Sequence, residues 1–366
     1  TGILKLNPRS IYSTLIANLR VGRLLSQSTP RKEYFSFLHF SDLHGNVENL
    51  GRLMEFKAAY SSFINDVVCS GDIVTDNFED DDVLSAYPSD IAIVGNHDAW
   101  VEAPLQDLDP EIQAIIDYSI DSTHHVIKQK PVYDKFFADY ISNWNVTQPS
   151  DAATAGKCYF YKDYTNSTGA KLRLIFLDCM HYNVGEDVVN SVSTQNTWLT
   201  SVLNDAKTNN IPVAIFSHYF PAQGITKVEC SYTTTDAVPY GYLSNIATET
   251  VNSFIVGGGE FICWLVGHSH LDLIGYPTNY PNQVFIAVDT AGLRAILGNS
   301  YRAAGSKSQD AFNIISFDTD DKLIKIVRVG NDTTRLETMK RRVVYRYADY
   351  TDPFEVTHQK GLVLSE

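Results

Sequence analysis

Short apolar runs, each cut off by a loop rich in Gly, Asp, Asn or His, set the rhythm of this chain. Residues 34–40, 66–70 and 91–94 read as buried strands, being too short for core helices and bounded by turn residues. Between the first two, Leu50, Leu53, Met54 and Ala58 recur at helical spacing and predict a helix over residues 47–60. That strand–helix–strand order predicts a largely parallel sheet with its loops gathered at one edge. Residues 99–157 break the pattern and read as helices and loops, the helices at 110–118 and 132–140.

Further on, runs at 158–164 and 171–178 flank Asn166-Ser167-Thr168-Gly169, a hairpin signal. A helix over 194–207 would bury Trp198, Leu199, Val202, Leu203 and Ala206, and strands follow at 213–216 and 261–266. Runs at 283–288, 311–317 and 323–329 predict a second sheet, with 341–347 as an edge strand. At the start, Leu15, Ile16 and Leu19 share a face of an amphipathic helix over 11–25. Its basic flanks (Arg9, Arg20, Arg23, Arg31, Lys32) would suit a membrane surface, though packing on the domain is the commoner role. The expected organisation is therefore an N-terminal helical extension (1–33), a main domain (34–330) and a C-terminal extension (331–366) packed on it.

Composition narrows the classes. With 366 residues, 44% hydrophobic and 20% charged, the chain has an ordinary soluble composition and can build a large core. A net charge of −14 argues against a nucleic-acid backbone as partner. No apolar run approaches the roughly 20 residues of a transmembrane helix. Five cysteines make no disulfide framework at this length; Cys69, Cys179 and Cys263 read as buried thiols, while Cys158 and Cys230 are open. The chain starts at Thr1, which is compatible with a cleaved export leader and leaves the compartment unknown.

Five loops carry the chemistry. They are Ser41-Asp42-Leu43-His44-Gly45, Gly71-Asp72-Ile73-Val74-Thr75-Asp76, Gly95-Asn96-His97-Asp98, His218, and Gly267-His268-Ser269-His270. Each follows an apolar run, so imidazoles, carboxylates and one amide are delivered at strand ends. A histidine taken alone is more often a hydrogen-bonded structural residue than a ligand. A common order and a common placement at strand ends are not what isolated structural histidines would produce.

In this order the five loops resemble the signature of the calcineurin-like metallophosphoesterases: Asp-x-His, Gly-Asp, Gly-Asn-His-Asp/Glu, His, Gly-His-x-His. The resemblance spans about residues 34–317 and leaves no position of the pattern empty. It implies an α/β fold, specifically a four-layer α/β/β/α sandwich. It implies two divalent or trivalent metal ions, with Mn, Fe and Zn all compatible with mixed N/O ligands. Asp42, His44, Asp72 and His270 would surround the first ion. Asp72 would bridge to the second, which also takes Asn96, His218 and His268. Two carboxylates against two divalent ions leave a positive site for a phosphate ester substrate.

The implied reaction is hydrolysis of that ester by a hydroxide bridging the two ions. His97 would not be a ligand; it would protonate the leaving oxygen, held as an imidazolium by a carboxylate. Asp76, four residues after Asp72, is the first candidate for that partner, and Asp98 the second. A phosphomonoesterase is expected on the strength of His97 and Asp76. The same motifs also serve phosphodiesterases, and an inactive metal-binding scaffold would lack ligands that are all present here. Residues 99–157 and 219–247 are the expected cap or substrate loops. Arg294, Arg302 and His181 are weaker candidates for a phosphate contact, and His124 and His125 weaker still for metal.

Overall fold

The computed structural model describes residues 34–78, 83–84, 90–181, 186–230, 241–292, 310–330 and 342–347. The helix expected at 11–25, together with Arg294 and Arg302, lies outside the described residues. Two large sheets and their flanking helices make up the α/β architecture.

The first sheet runs in the order β16-β15-β14-β1-β2-β3. In it, β1 (Phe35–Phe40), β2 (Asp66–Cys69) and β3 (Ile91–Ala92) are parallel, as strand–helix–strand alternation requires. The other half is an antiparallel meander of β14 (Ala311–Asp318), β15 (Leu323–Gly330) and β16 (Arg342–Arg346). It joins through Phe35 opposite Phe317, so the hairpin expected in a second sheet returns to the edge of β1 instead. Helix α1 (Val47–Ala59) begins at Asn46, whose side chain caps the Asn49 N–H at 2.9 Å. It lies over this sheet, Phe56 against Phe312 and Arg52 against Asp310.

The second sheet has the order β10-β12-β13-β11-β9-β8-β7. Its strands are β7 (Phe160–Thr165), β8 (Lys171–Phe176), β9 (Val213–Phe216), β10 (Ile225–Cys230), β11 (Phe261–Val266), β12 (Leu273–Pro277) and β13 (Phe285–Ala287). The β7–β8 hairpin turns at Asn166 as expected, and β8, β9, β11 and β13 are parallel. Helices α2 (Glu186–Thr208) and α3 (Asn245–Val256) pack together, and α3 also contacts β11.

Side chains alternate across each strand, and this alternation joins the two sheets. Phe37 of β1 meets Tyr164 of β7, and His39 two residues on meets Phe216 of β9. Between them a continuous aromatic layer, Phe160–Phe176–Phe216, fills the interior. All six residues of β1 and all six of β11 are buried, the pattern of strands covered on both faces.

The 99–157 segment is more than helices and loops. It holds a three-stranded antiparallel sheet, β4 (Trp100–Glu102), β6 (His124–Ile127) and β5 (Ile116–Ser119), in the order β4-β6-β5. Short helices at Pro110–Ile115 and Gln129–Phe136 accompany it. Its strands are short and half polar, so no apolar run announces them. Among the described residues no helix is long and apolar enough to cross a membrane.

Candidate metal centre

The five loops converge at the C-terminal ends of β1, β2, β3, β9 and β11, where parallel strands of both sheets stop. Backbone hydrogen bonds lock them together: Asp42 N to Gly71 O at 2.9 Å, His44 N to Asp72 O at 3.0 Å, and Gly267 N to His218 O at 3.1 Å. The approach is close enough to exclude side chains. A Cβ on Gly95 would collide with the Asp72 carboxylate, and one on Gly267 with the Ser41 hydroxyl.

Asp42, His44, Asp72, His268 and His270 all have positive φ, between 47° and 67°. Non-glycine residues in this region carry a backbone cost of about 1–3 kcal/mol each and persist where surrounding structure fixes them. Here that cost falls on side chains that share one site.

Two groups of ligand atoms result. Asp42, His44, Asp72 and His270 offer atoms within 4.8 Å of one another, and Asp72, His218 and His268 do the same. Asp72 belongs to both. Asn96 Oδ1 lies 2.9 Å from His218 Nε2, beside the second group.

These donors fit a cation better than they fit each other. The His218 Nδ1–H donates to the Ser70 carbonyl at 2.7 Å, which leaves Nε2 facing Asp72 Oδ2 at 3.3 Å and the Asn96 oxygen. Three potential ligand atoms thus converge on one point. In the first group, His44 Nε2 and His270 Nε2 stand 3.0 Å apart, and the buried Asp42 Oδ1 faces His270 Nε2 at 3.2 Å. Backbone amides fix the carboxylates from behind: His97 N on Asp72 Oδ1 at 2.9 Å, and His268 N on Asp42 Oδ2 at 3.0 Å.

Titration follows the same geometry. Burial alone would raise Asp42, but the His270 charge holds it down to about 2. Burial likewise opposes ionisation of Asp72, and His218 and then His97 hold it well below the usual range. Burial would lower His218, yet Asp72 lifts it to about 9. Burial takes His44 and His268 down to about 3 and keeps both neutral, the form that ligates metal.

His97 belongs to neither group. Its ring stands at 90° to His44, centroids 4.7 Å apart. Its Nδ1 lies 2.6 Å from the Thr75 carbonyl, which can only accept, so Nδ1 carries the hydrogen and Nε2 is left for other partners.

The carboxylate partner expected for His97 is therefore replaced by a backbone carbonyl. Asp76 accepts from Phe78 N at 3.0 Å and Glu102 N at 2.6 Å, pinning the start of the inserted segment. Asp98 is turned away from the imidazole altogether. Its two oxygens accept four backbone N–H groups, from Asp72, Ile73, Val74 and Gly95, at 2.8 to 3.1 Å. Burial and the Asp72 charge push its carboxyl up to about 7, against those donors. With every neighbour donating, its lone pairs are filled without a proton, and we regard it as a carboxylate.

His181 is not at the centre. It is buried with Nδ1 2.8 Å from Asp178 and Nε2 2.9 Å from the Ile127 carbonyl. His124 and His125 sit on β6, the first against Asp121 and the second against Ser119. Two neighbours of the centre carry no spacing rule. Trp100 has its ring 4.8 Å from that of His97, and Tyr219 has its ring 4.6 Å from that of His268.

A calcineurin-like phosphoesterase model matches residues 35–272, well over half of the chain. The chain belongs to the calcineurin-like phosphoesterase family and is a hydrolase acting on phosphoric ester bonds, with a phosphate ester as substrate. Among solved structures it is similar to a dimetal phosphatase from Danio rerio, at 14% identity and a TM-score of 0.50, over 86% of this chain and 99% of that one. It is also similar to GAP50, the anchor in the inner membrane complex of Plasmodium, at 12% identity and a TM-score of 0.48, over 82% and 86% of the two chains. The first of these likenesses supports the fold. No curated protein matches the sequence.

Proposed function

We propose that the chain is a metal-dependent phosphomonoesterase with two ions, one held by Asp42, His44, Asp72 and His270, the other by Asp72, Asn96, His218 and His268. When bound, the ions would supply Lewis-acid chemistry, acidifying water into a nucleophile and neutralising phosphoryl charge. Asp72 is shared between the two groups and would serve both ions. His44 and His268, kept neutral by burial, offer lone pairs without a competing proton.

The monoester reading is carried by His97, a histidine beside the first group with Nδ1 committed to Thr75 and Nε2 free to face substrate. A monoester expels an alcohol of high pKa, and a hydrogen-bond donor at that oxygen lowers the barrier. Nε2 is the atom we assign to this task, and because Nδ1 already gives its hydrogen to Thr75, the donating form is the imidazolium, which passes the Nε2 proton to the leaving oxygen. Asp76 and Asp98 act one step back: Asp76 holds the chain between Thr75 and Glu102, and Asp98 fixes the loop that carries Asp72. Trp100 and Tyr219, one from each of the two expected substrate segments, pack on His97 and His268 and are the substrate-wall residues we assign.

The test is a panel of phosphomonoesters and phosphodiesters assayed with Mn, Fe and Zn in turn. The expected result is a higher kcat/KM for monoesters with at least one metal. Faster diester cleavage with every metal would overturn the monoester assignment and leave the metal centre standing.

A further inference from the structure

Beyond His97 the structure continues as a row of rings. The His97 and Trp100 centroids are 4.8 Å apart at 67°, and those of Trp100 and His124 are 4.6 Å apart at 49°. Trp100 is half-buried, and its Nε1–H has no acceptor among the described residues, so packing between the two imidazoles positions the indole. Past the row stand two carboxylates. Asp121 is 2.8 Å from His124 Nδ1 and Glu102 is 3.8 Å from its Nε2, and each is 51% exposed.

We propose that Trp100 is the specificity residue for the leaving group, selecting an alcohol that carries a planar ring and no negative charge. This rests on the reading that His97 Nε2 meets the leaving oxygen. An alcohol bonded to that nitrogen must extend away from the metal groups, and Trp100 is the ring other than His44 packed on His97. A flat apolar group gains area and ring–ring contact there. A leaving group bearing a carboxylate or second phosphate meets the like charge of Glu102 and Asp121.

Three primary alkyl phosphates separate this from leaving-group basicity: 2-phenylethyl, propyl and 2-carboxyethyl phosphate. The wild-type protein should prefer the phenylethyl ester to the propyl ester by about three- to ten-fold in kcat/KM, the range of an aromatic contact. The carboxyethyl ester should be the poorest. Trp100→Ala should bring the phenylethyl/propyl ratio to within about two-fold and Trp100→Phe should restore it, while Glu102→Gln should improve the carboxyethyl ester alone. An equal loss on all three esters in Trp100→Ala would mean that the indole only supports His97, and the proposal falls. Binding of 3-phenylpropyl and propyl phosphonate, read by calorimetry on metal-loaded protein, needs no turnover. If none of the three esters is cleaved but the phenyl phosphonate still binds more tightly through Trp100, the monoester reading fails and the ring subsite stands. Equal binding of the two phosphonates by the wild type overturns the subsite.

Discussion

The Nδ1 atom of His97 lies 2.6 Å from the carbonyl oxygen of Thr75. A carbonyl cannot give a proton, so this contact places the hydrogen on Nδ1 and leaves Nε2, the atom proposed to meet the leaving oxygen, for another partner. His97→Ala should keep both metal ions and lose roughly 10²–10⁴-fold in kcat, the usual range for general acid–base groups. The loss should shrink for p-nitrophenyl phosphate, whose leaving group needs little protonation. Loss of metal from this variant, measured by elemental analysis, would show that His97 is a ligand after all.

Because a carbonyl does the orienting, Asp76 should be silent in the pH–rate profile. Its oxygens hold the Phe78 and Glu102 amides, and an Asn there keeps one acceptor and loses the other. Asp76→Asn should cost about 1–3 kcal/mol in stability, the penalty for a buried donor left unpaired. Denaturant unfolding reads that cost. Asp98→Ala removes the acceptor of four backbone N–H groups and should be more damaging, with poor folding or loss of metal. A displaced alkaline limb in Asp76→Asn would restore Asp76 as the partner of His97.

Five candidate ligands with positive φ make the centre costly to hold without its ions. Protein purified without chelator should carry close to two metal ions per chain. Chelation should lower stability by about 2.7 kcal/mol per site for metal supplied at 100 times its Kd. Asp72→Ala should lose both ions together, since Asp72 is common to both groups. A fully active chain holding a single ion would sink the two-ion assignment.

Much of this could be read from the sequence because strand ends and ligand types coincide. Apolar runs gave β9 and β11 to the residue, and the side chains that converge are those that follow such runs. What could not be read has physical reasons. The Thr75 carbonyl belongs to every residue type, so no side chain announced it. Pairing of β14 with β1 joins Phe317 to Phe35, and periodicity within either strand says nothing about its neighbour. The β4-β6-β5 sheet is built from strands of three or four residues, with His and Glu where an apolar pattern would be needed. Asp98, by contrast, looked like chemistry because it is acidic and near a histidine, and is instead a clamp for amides.

His181 offers a test of how the inserted segment is tied to the sheets. Its Nε2–H donates to the Ile127 carbonyl at 2.9 Å, and its Nδ1 meets Asp178 at 2.8 Å. Asp178 itself is pinned to the second layer of helices through Gln195. Burial would lower the His181 pKa, but the Asp178 charge outweighs it and the pKa is raised. A histidine raised on folding stabilises the protein fully below its unfolded value of about 6.5. That contribution is lost as pH rises through the folded value. The stability difference between wild type and His181→Gln, measured by urea unfolding, should therefore be largest near pH 5.5 and decline above neutrality. Removing one partner of a buried pair typically costs about 3–5 kcal/mol. A difference that stays flat from pH 5.5 to 9 would mean that the ring is neutral and the contact with Asp178 is an ordinary hydrogen bond. Growth of the difference with pH would reverse the sign of the argument and place the ionised partner elsewhere.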